Sequence, residues 1–274
     1  MPEIPSSPPS VWTRNLHRPK SNLGRNTLLL VYPKHTIEQN PNGVLDLVDW
    51  IAVRNELLSG KPVLVFDSAE REAETDMIFY AGVIDSKKIT YLRKNAGGLI
   101  CFVSGSKFRK TLQLPFMNEL LSKHPILREI SARKPRYGDP PAFNLWLNHV
   151  DTKTGINDND KALTIKRLHK VAELVYKGFG TEAIETFKRE FYAPGHVPLL
   201  TSRGIANRRG HTELATALAL ITGLTPSMVI AEMLAEGISL PYEDARKFAR
   251  RNGLLFINGF DIITEAEKRG FLYD

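Results

Sequence analysis

The chain has 274 residues, 42% of them hydrophobic and 24% charged, which excludes a mostly disordered chain, a collagen-like repeat and a coiled coil. Net charge is +7, from 37 basic and 30 acidic side chains, and this favours anionic partners from phosphometabolites to nucleic acid. A single cysteine, Cys101, excludes an internal disulfide and a cysteine-based zinc site, while no apolar run approaches the roughly 18 residues of a membrane span and MPEIPSSPPS is no secretory signal. A reduced, cytoplasmic globule built as one large domain is predicted.

Residues 1–43 carry seven prolines and read as an extended arm, with TLLLVY (27–32) as one short strand. From 44 to 60, Val44, Leu47, Val48, Ile51, Ala52 and Leu58 fall at helical spacing, and Gly60 ends the helix. VLVF (63–66) and MIFYAGV (77–83) read as buried strands, followed by a helix near 86–95 and the strand LICFV (99–103). Residues 104–140 hold eight Lys or Arg against three acids and show no long period. They read as a solvated basic insertion with one short helix, peripheral to chemistry. AFNLWLNHV (142–150) is a strand, and 160–190 form two helices split at Gly178 and Gly180. HVPLLTS (196–202) is a strand, TELATALALITG (212–223) a helix, and MVIAEML (228–234) a strand. A short helix, YEDARKFARRNG, and a last strand, LLFI (254–257), complete the series. Strands and helices without strict alternation predict an α+β or irregular α/β fold, a mixed sheet with flanking helices.

Two constellations carry chemistry. In EREAETD (70–76), a helix would stack like charges at i,i+4. An extended chain instead projects Glu70, Glu72, Glu74 and Asp76 from one side, a set suited to a hard cation and polyol hydroxyls, or simply to solvent. In RRGHTELATALALITG (208–223), Thr212 reads as an N-cap with Glu213 in the first turn. Arg208 and Arg209 add charge to the free N–H groups of that helix N-terminus, which suits a phosphate, and His211 stands beside it. The plainer alternative is a basic surface turn. The same text, read through TGLTP into MVIAEML, also has the outline of a DNA-binding helix–turn–helix. Its second segment, however, offers no Arg, Lys, Asn or Gln to base edges. HVDTKTGINDNDKA (149–162) is a polar loop suited to sugar or phosphate contacts or to an N-cap at Asp158 or Asp160. His196 lies at a Pro-Gly turn, and Glu232 is a carboxylate in apolar text that calls for a partner or a raised pKa.

Taken in order, VFDSAEREAETDMIF, GGLICFV, LPFM, DTKTGINDNDKALTI, YAPGH, RRGHTELA, VIAEML and the FA…LLFI tail resemble the 3,4-dihydroxy-2-butanone 4-phosphate synthases of riboflavin biosynthesis, from about residue 44 to 265. The resemblance implies a catalytic domain over 44–274, with too few residues expected after 265 for the GTP cyclohydrolase II module often fused to this enzyme. It implies conversion of D-ribulose 5-phosphate to 3,4-dihydroxy-2-butanone 4-phosphate and formate, with Mg²⁺ or Mn²⁺, two ions per site, and no organic cofactor. It implies a cytoplasmic homodimer with no nucleic-acid or membrane partner. Glu72 and His211 match the metal ligands, and Glu72, Asp76, Cys101, His196, His211 and Glu232 match catalytic positions. Arg71, Glu72, Asp76, Thr154, His211 and Glu232 match substrate contacts, and Arg208, Arg209, Gly210 and Thr212 match the phosphate cradle. The chain departs from the family pattern at Ala73 and Thr75, where Asn and Gly are usual, at Lys153 and Lys161, where Thr and Arg are usual, and at Ala193, usually Arg. Another Mg²⁺-dependent phosphosugar isomerase or lyase remains the rival enzyme reading.

Overall fold

Strands whose alternate residues enter two separate cores organise the molecule. The computed structural model describes residues 48–274, so the expected arm (1–43), its strand at 27–32 and the start of the first helix lie outside the described residues. Helix α1 (Trp50–Ser59) starts where the Asp49 carboxylate accepts the N–H groups of Ile51 and Ala52, both at 3.0 Å. It ends at Gly60, whose φ of +84° suits a residue without Cβ. Then come β1 (Val63–Phe66), β2 (Thr75–Tyr80), α2 (Ser86–Asn95) and β3 (Cys101–Ser104). Residues 81–83, expected to prolong β2, form a 3₁₀ turn instead.

The 104–140 segment is more regular than its text predicts. It holds three short helices, α3 (Ser106–Thr111), α4 (Met117–Leu121) and α5 (Pro125–Ser131). Each is too short to show a hydrophobic period, which is why the sequence conceals them. Beyond them lie β4 (Phe143–His149), α6 (Asp158–Tyr176), α7 (Gly180–Glu190), β5 (Phe191–Thr201), α8 (His211–Ile221) and β6 (Ser227–Glu232). Gly178, at φ +91°, separates α6 from α7 as expected. A hairpin, β7 (Leu234–Ala235) with β8 (Ile238–Ser239), leads to α9 (Tyr242–Asn252), β9 (Phe256–Asn258) and α10 (Gly259–Arg269). Sequence reading missed α10 altogether, although Ile262 and Ala266 are buried at helical spacing.

Seven strands form one mixed sheet in the order β4-β5-β3-β6-β2-β1-β9. β6 is thus a central strand, antiparallel to both β2 and β3. This overturns the helix–turn–helix reading: after α8 the chain enters the sheet, and no second helix follows the turn. Residue parity sorts the core. Val63, Val65, Ile78, Cys101, Val103 and Ile230 face α1, α8 and α10, whereas Leu64, Met77, Phe79, Phe102, Val229 and Leu199 face α2, α3, α6 and α7.

The same parity places chemistry on the α8 side. Asp76 pairs with Glu232 across β2 and β6, so both side chains leave the same face. Cys101 pairs with Ile230 on that face. On β5, Leu200 belongs to the α8-side core while Val197 and Leu199 belong to the other, which assigns His196 to the α8 side. Extending the β3–β5 and β3–β6 registers puts His196 in the row of Glu232, two strands or about 10 Å away.

Candidate functional site

Asp67, directly after β1, builds the acidic loop. Its carboxylate accepts the N–H groups of Glu74 (3.0 Å) and Glu72 (3.1 Å) and the Arg71 guanidinium (3.2 Å). Backbone bonds from Arg71 and Ala73 to the Ser68 carbonyl close a turn, with Ala73 at φ +57°. The extended run expected over 70–76 is therefore wrong in its first half. Glu70 is exposed on the turn, and the strand begins only at Thr75. One buried carboxylate satisfying two loop N–H groups outweighs local strand propensity.

The turn brings Glu72 and Asp76 to His211, whose Nδ1 stands 3.7 Å from Glu72 Oε2 and 3.6 Å from Asp76 Oδ1. Burial alone would raise the Glu72 carboxyl, but hydrogen bonds with His211 and Tyr137 and the Arg71 charge hold it down at about 2. Burial would lower His211, yet the carboxylates of Asp76, Glu72 and Asp67 raise it to about 9. Burial lifts Asp76 to about 6, with the Glu232 and Glu72 charges adding to it against His211. Glu74 rises to about 7 by burial and the nearby Glu232 and Glu72 charges, against a hydrogen bond from Ser239. The β7–β8 hairpin supplies that serine, whose Oγ lies 2.7 Å from Glu74 and 2.8 Å from Glu232.

Asp67, Glu72 and His211 offer ligand atoms within 4.8 Å of one another. Asp67 spends its carboxylate on the loop N–H groups and on Arg71, and Glu72 accepts from Arg71. His211 Nε2 is buried and has no hydrogen-bond partner, and the Glu72 and Asp76 carboxylates stand at the ring's other nitrogen. A hard divalent cation fits this set.

Helix α8 starts at His211 with Gly210 as N-cap, two residues earlier than a Thr212 cap requires. Glu213 turns back to accept the N–H groups of Gly210 (3.3 Å) and Arg203 (3.0 Å), and pairs with Arg208 in a buried ion pair. Gly210 is needed for close approach: a Cβ there would lie 2.4 Å from Arg208 Nη1 and 2.7 Å from Arg71 Nη2. Arg71 Nη2 and Arg208 Nε are both buried without partners. Two guanidinium groups with unspent donors thus meet at one helix N-terminus, an arrangement suited to an anion. They border a cavity of about 320 Å³, also lined by Ser68, Asp139, Asn207 and Arg209. Arg209 itself is half exposed and reaches Glu267 at 3.7 Å. Thr212 is buried in the first turn.

The end of the basic segment is not peripheral. Tyr137 hydrogen-bonds Glu72, and Arg71 lies over its ring at 4.6 Å. Asp139 accepts from Arg71 Nε at 3.1 Å. Tyr-Gly-Asp ahead of Pro140 and Pro141 was the available signal, but nothing local says that it folds back.

Thr154 and His196 form a second cluster. Asn148 on β4 joins them, accepting the His196 N–H at 2.8 Å and lying 3.5 Å from the Thr154 carbonyl. Asn157, not Asp158 or Asp160, caps α6. Asp160 instead accepts the N–H groups of Thr154 (3.0 Å) and Gly155 (2.8 Å). His196 does not stand at a turn entering a strand, because β5 already runs from Phe191. Cys101 is buried behind Asp76, and burial together with that carboxylate pushes its thiol up, so it is a packed neutral side chain here.

A mixed α+β sheet with carboxylates, a histidine and paired arginines on one face defines a small-molecule enzyme that handles an anionic, hydroxyl-bearing substrate. The comparisons with known proteins narrow this. The family model described as 3,4-dihydroxy-2-butanone 4-phosphate synthase matches residues 52–265, and the chain belongs to that family, whose members serve riboflavin biosynthesis. The synthase of Methanosarcina acetivorans is 37% identical over 217 residues, covering 76% of this chain and 86% of that protein. That of Archaeoglobus fulgidus is 39% identical over 218 residues, covering 76% and 90%. A crystal structure of 3,4-dihydroxy-2-butanone 4-phosphate synthase in complex with two magnesium ions superposes with a TM-score of 0.63 at 27% identity, covering 81% of this chain and 97% of that one. No helix among the described residues is long and apolar enough to cross a membrane.

Proposed function

We propose that this chain converts D-ribulose 5-phosphate to 3,4-dihydroxy-2-butanone 4-phosphate and formate. The observation that carries the reading is the meeting of unpartnered Arg71 and Arg208 donors with the Glu72–His211–Asp76 cluster at one helix N-terminus. Phosphate would lie against Arg208, Arg209, Gly210 and Thr212, which leaves the sugar carbons facing the carboxylates. Glu72 and His211 would hold Mg²⁺ or Mn²⁺, and the relative with two magnesium ions supports two per site. Bound there, the metal supplies Lewis acidity that stabilises negative charge on the sugar oxygens.

The chain's own groups do the rest. Asp76 lies 3.6 Å from His211 Nδ1 and shares a face with Glu232, so its carboxylate stands beside the cluster where the sugar carbons would lie. Its Oδ1 is therefore the atom assigned to move a carbon-bound proton. Glu232, facing the same side from β6 and held by Ser239, is placed to serve a neighbouring hydroxyl. Arg71 orients the substrate and is itself oriented by Asp67, Glu72 and Asp139. The atoms of the two products sum to those of the substrate, so no external oxidant or organic cofactor enters the balance. Residues 44–274 form the catalytic unit in this reading, which acts as a cytoplasmic homodimer without nucleic-acid or membrane partners. Incubation with ribulose 5-phosphate and Mg²⁺ should release formate in step with the four-carbon phosphate. Conversion of the sugar without formate would show an isomerase instead.

A further inference from the structure

Asn148 is 1% exposed, and its amide meets four groups. Oδ1 lies 2.8 Å from the His196 backbone nitrogen. Nδ2 lies 2.9 Å from the Tyr192 hydroxyl, 3.1 Å from His196 Nδ1 and 3.5 Å from the Thr154 carbonyl. Gly155 admits this side chain, and Gly195 admits the β4 backbone that carries it. A Cβ on Gly155 would sit 2.1 Å from Asn148 Nδ2, and one on Gly195 would sit 2.1 Å from the Leu147 carbonyl carbon.

The orientation of that amide follows from chemistry. A backbone N–H only donates, so the amide atom facing the His196 nitrogen is the carbonyl oxygen. The amide is thereby barred from flipping, and its NH₂ group faces His196 Nδ1. That group has no lone pair to offer. The two amide protons serve the Tyr192 hydroxyl at 2.9 Å and His196 Nδ1 at 3.1 Å, the Thr154 carbonyl at 3.5 Å being the longest contact, so Nδ1 accepts and the ring proton sits on Nε2. We infer that Asn148 is a positioning residue that locks His196 in the neutral Nε2–H tautomer. The exposed side of the imidazole then presents a hydrogen-bond donor to a substrate oxygen, not a base. A donor aimed where negative charge develops on oxygen stabilises the transition state without moving a proton in the ground state. The inference rests on the reading of His196 as catalytic, and it deepens that role.

The test uses protein labelled with ¹⁵N in histidine, with His196→Gln identifying the signals of that ring. The native enzyme should show a bare Nδ1 and a protonated Nε2. In Asn148→Asp a carboxylate accepts from both the backbone N–H and the ring, so the proton should pass to Nδ1. Its kcat should then fall about 100-fold or more, the scale of a lost proton-donating group, with KM little changed. A native ring protonated on Nδ1 overturns the lock whatever the activity, and this measurement stands even if Asn148→Asp fails to fold. An inverted tautomer with undiminished kcat overturns the donor role. Full activity in His196→Gln would instead remove His196 from the chemistry and leave the tautomer result intact.

Discussion

Arg71 donates to Asp67, Glu72 and Asp139 at once, and Tyr137 covers its guanidinium. A side chain so crowded by acids keeps its charge and holds Glu72 ionised beside His211. Glu72→Gln keeps the shape and removes the charge. Together with His211→Gln it should lose most of kcat while the fold persists, and each variant should bind Mg²⁺ more weakly in titration calorimetry. Unchanged Mg²⁺ affinity in both would remove these residues as ligands. Arg208 behaves differently, because it neutralises Glu213 where the glutamate is 0% exposed. Arg208→Ala strands a buried carboxylate and should cost about 3–5 kcal/mol in urea unfolding, well beyond a KM effect. The double change Arg208→Met with Glu213→Gln should recover most of that stability. If it does not, the ion pair is not what holds this corner.

At the scale of elements, the β1–β2 connection is a turn stapled by Asp67, and it forces Ala73 into the left-handed region at φ +57°. An L residue with a Cβ is strained there, and Asn or Gly tolerates the conformation better. Ala73→Gly should therefore raise the urea midpoint, by about 0.5–1 kcal/mol in stability, and leave the neighbouring Asp67 contacts in place. A loss of stability would show that Ala73 makes contacts worth more than the strain. The departure from Asn that the sequence shows at this position thus has a local cost. The β7–β8 hairpin does the opposite service, since two-residue strands suffice to deliver Ser239 between Glu74 and Glu232.

Across the whole molecule, helices α6 and α8 clamp the sheet from opposite faces, and a buried histidine marks the α6 side. His169 donates to or accepts from Ser227 on β6 at 2.7 Å and packs edge-on to Tyr80. Burial, opposed by the Glu173 charge, lowers its pKa from 6.5 to about 4. The unfolded chain therefore takes up this proton first as pH falls. Stability is unaffected above pH 6.5 and declines between 6.5 and 4, by roughly 3 kcal/mol for this group. His169→Gln should be less stable at pH 8 but show a flatter stability profile through that window. Parallel profiles for the two proteins would place the acid sensitivity elsewhere.

Much of this architecture is legible in the chain. Buried strands such as VLVF and LICFV are short apolar runs, and α8 is a strong apolar helix closed by Gly223, so local pattern alone identifies them. The acidic segment before β2 and the Arg-Arg-Gly-His turn before α8 were readable too, because residue type announces charge. What the sequence could not settle is which charges face one another. Glu72 and His211 meet only because β2 and the start of α8 share one face of the sheet, and that depends on strand order. Tyr137 and Asp139 join Arg71 from a segment whose text lacks any period, and Asn148 gains its role from register alone. The α10 helix was likewise decided by packing, whereas MVIAEML was read as a strand and is one, its central place in the sheet coming only from its pairing with β2 and β3. Local composition determined the elements and the chemical inventory of this protein. Tertiary structure alone paired the charges, because long-range contacts set the burial and the partners on which each group's protonation and reach depend.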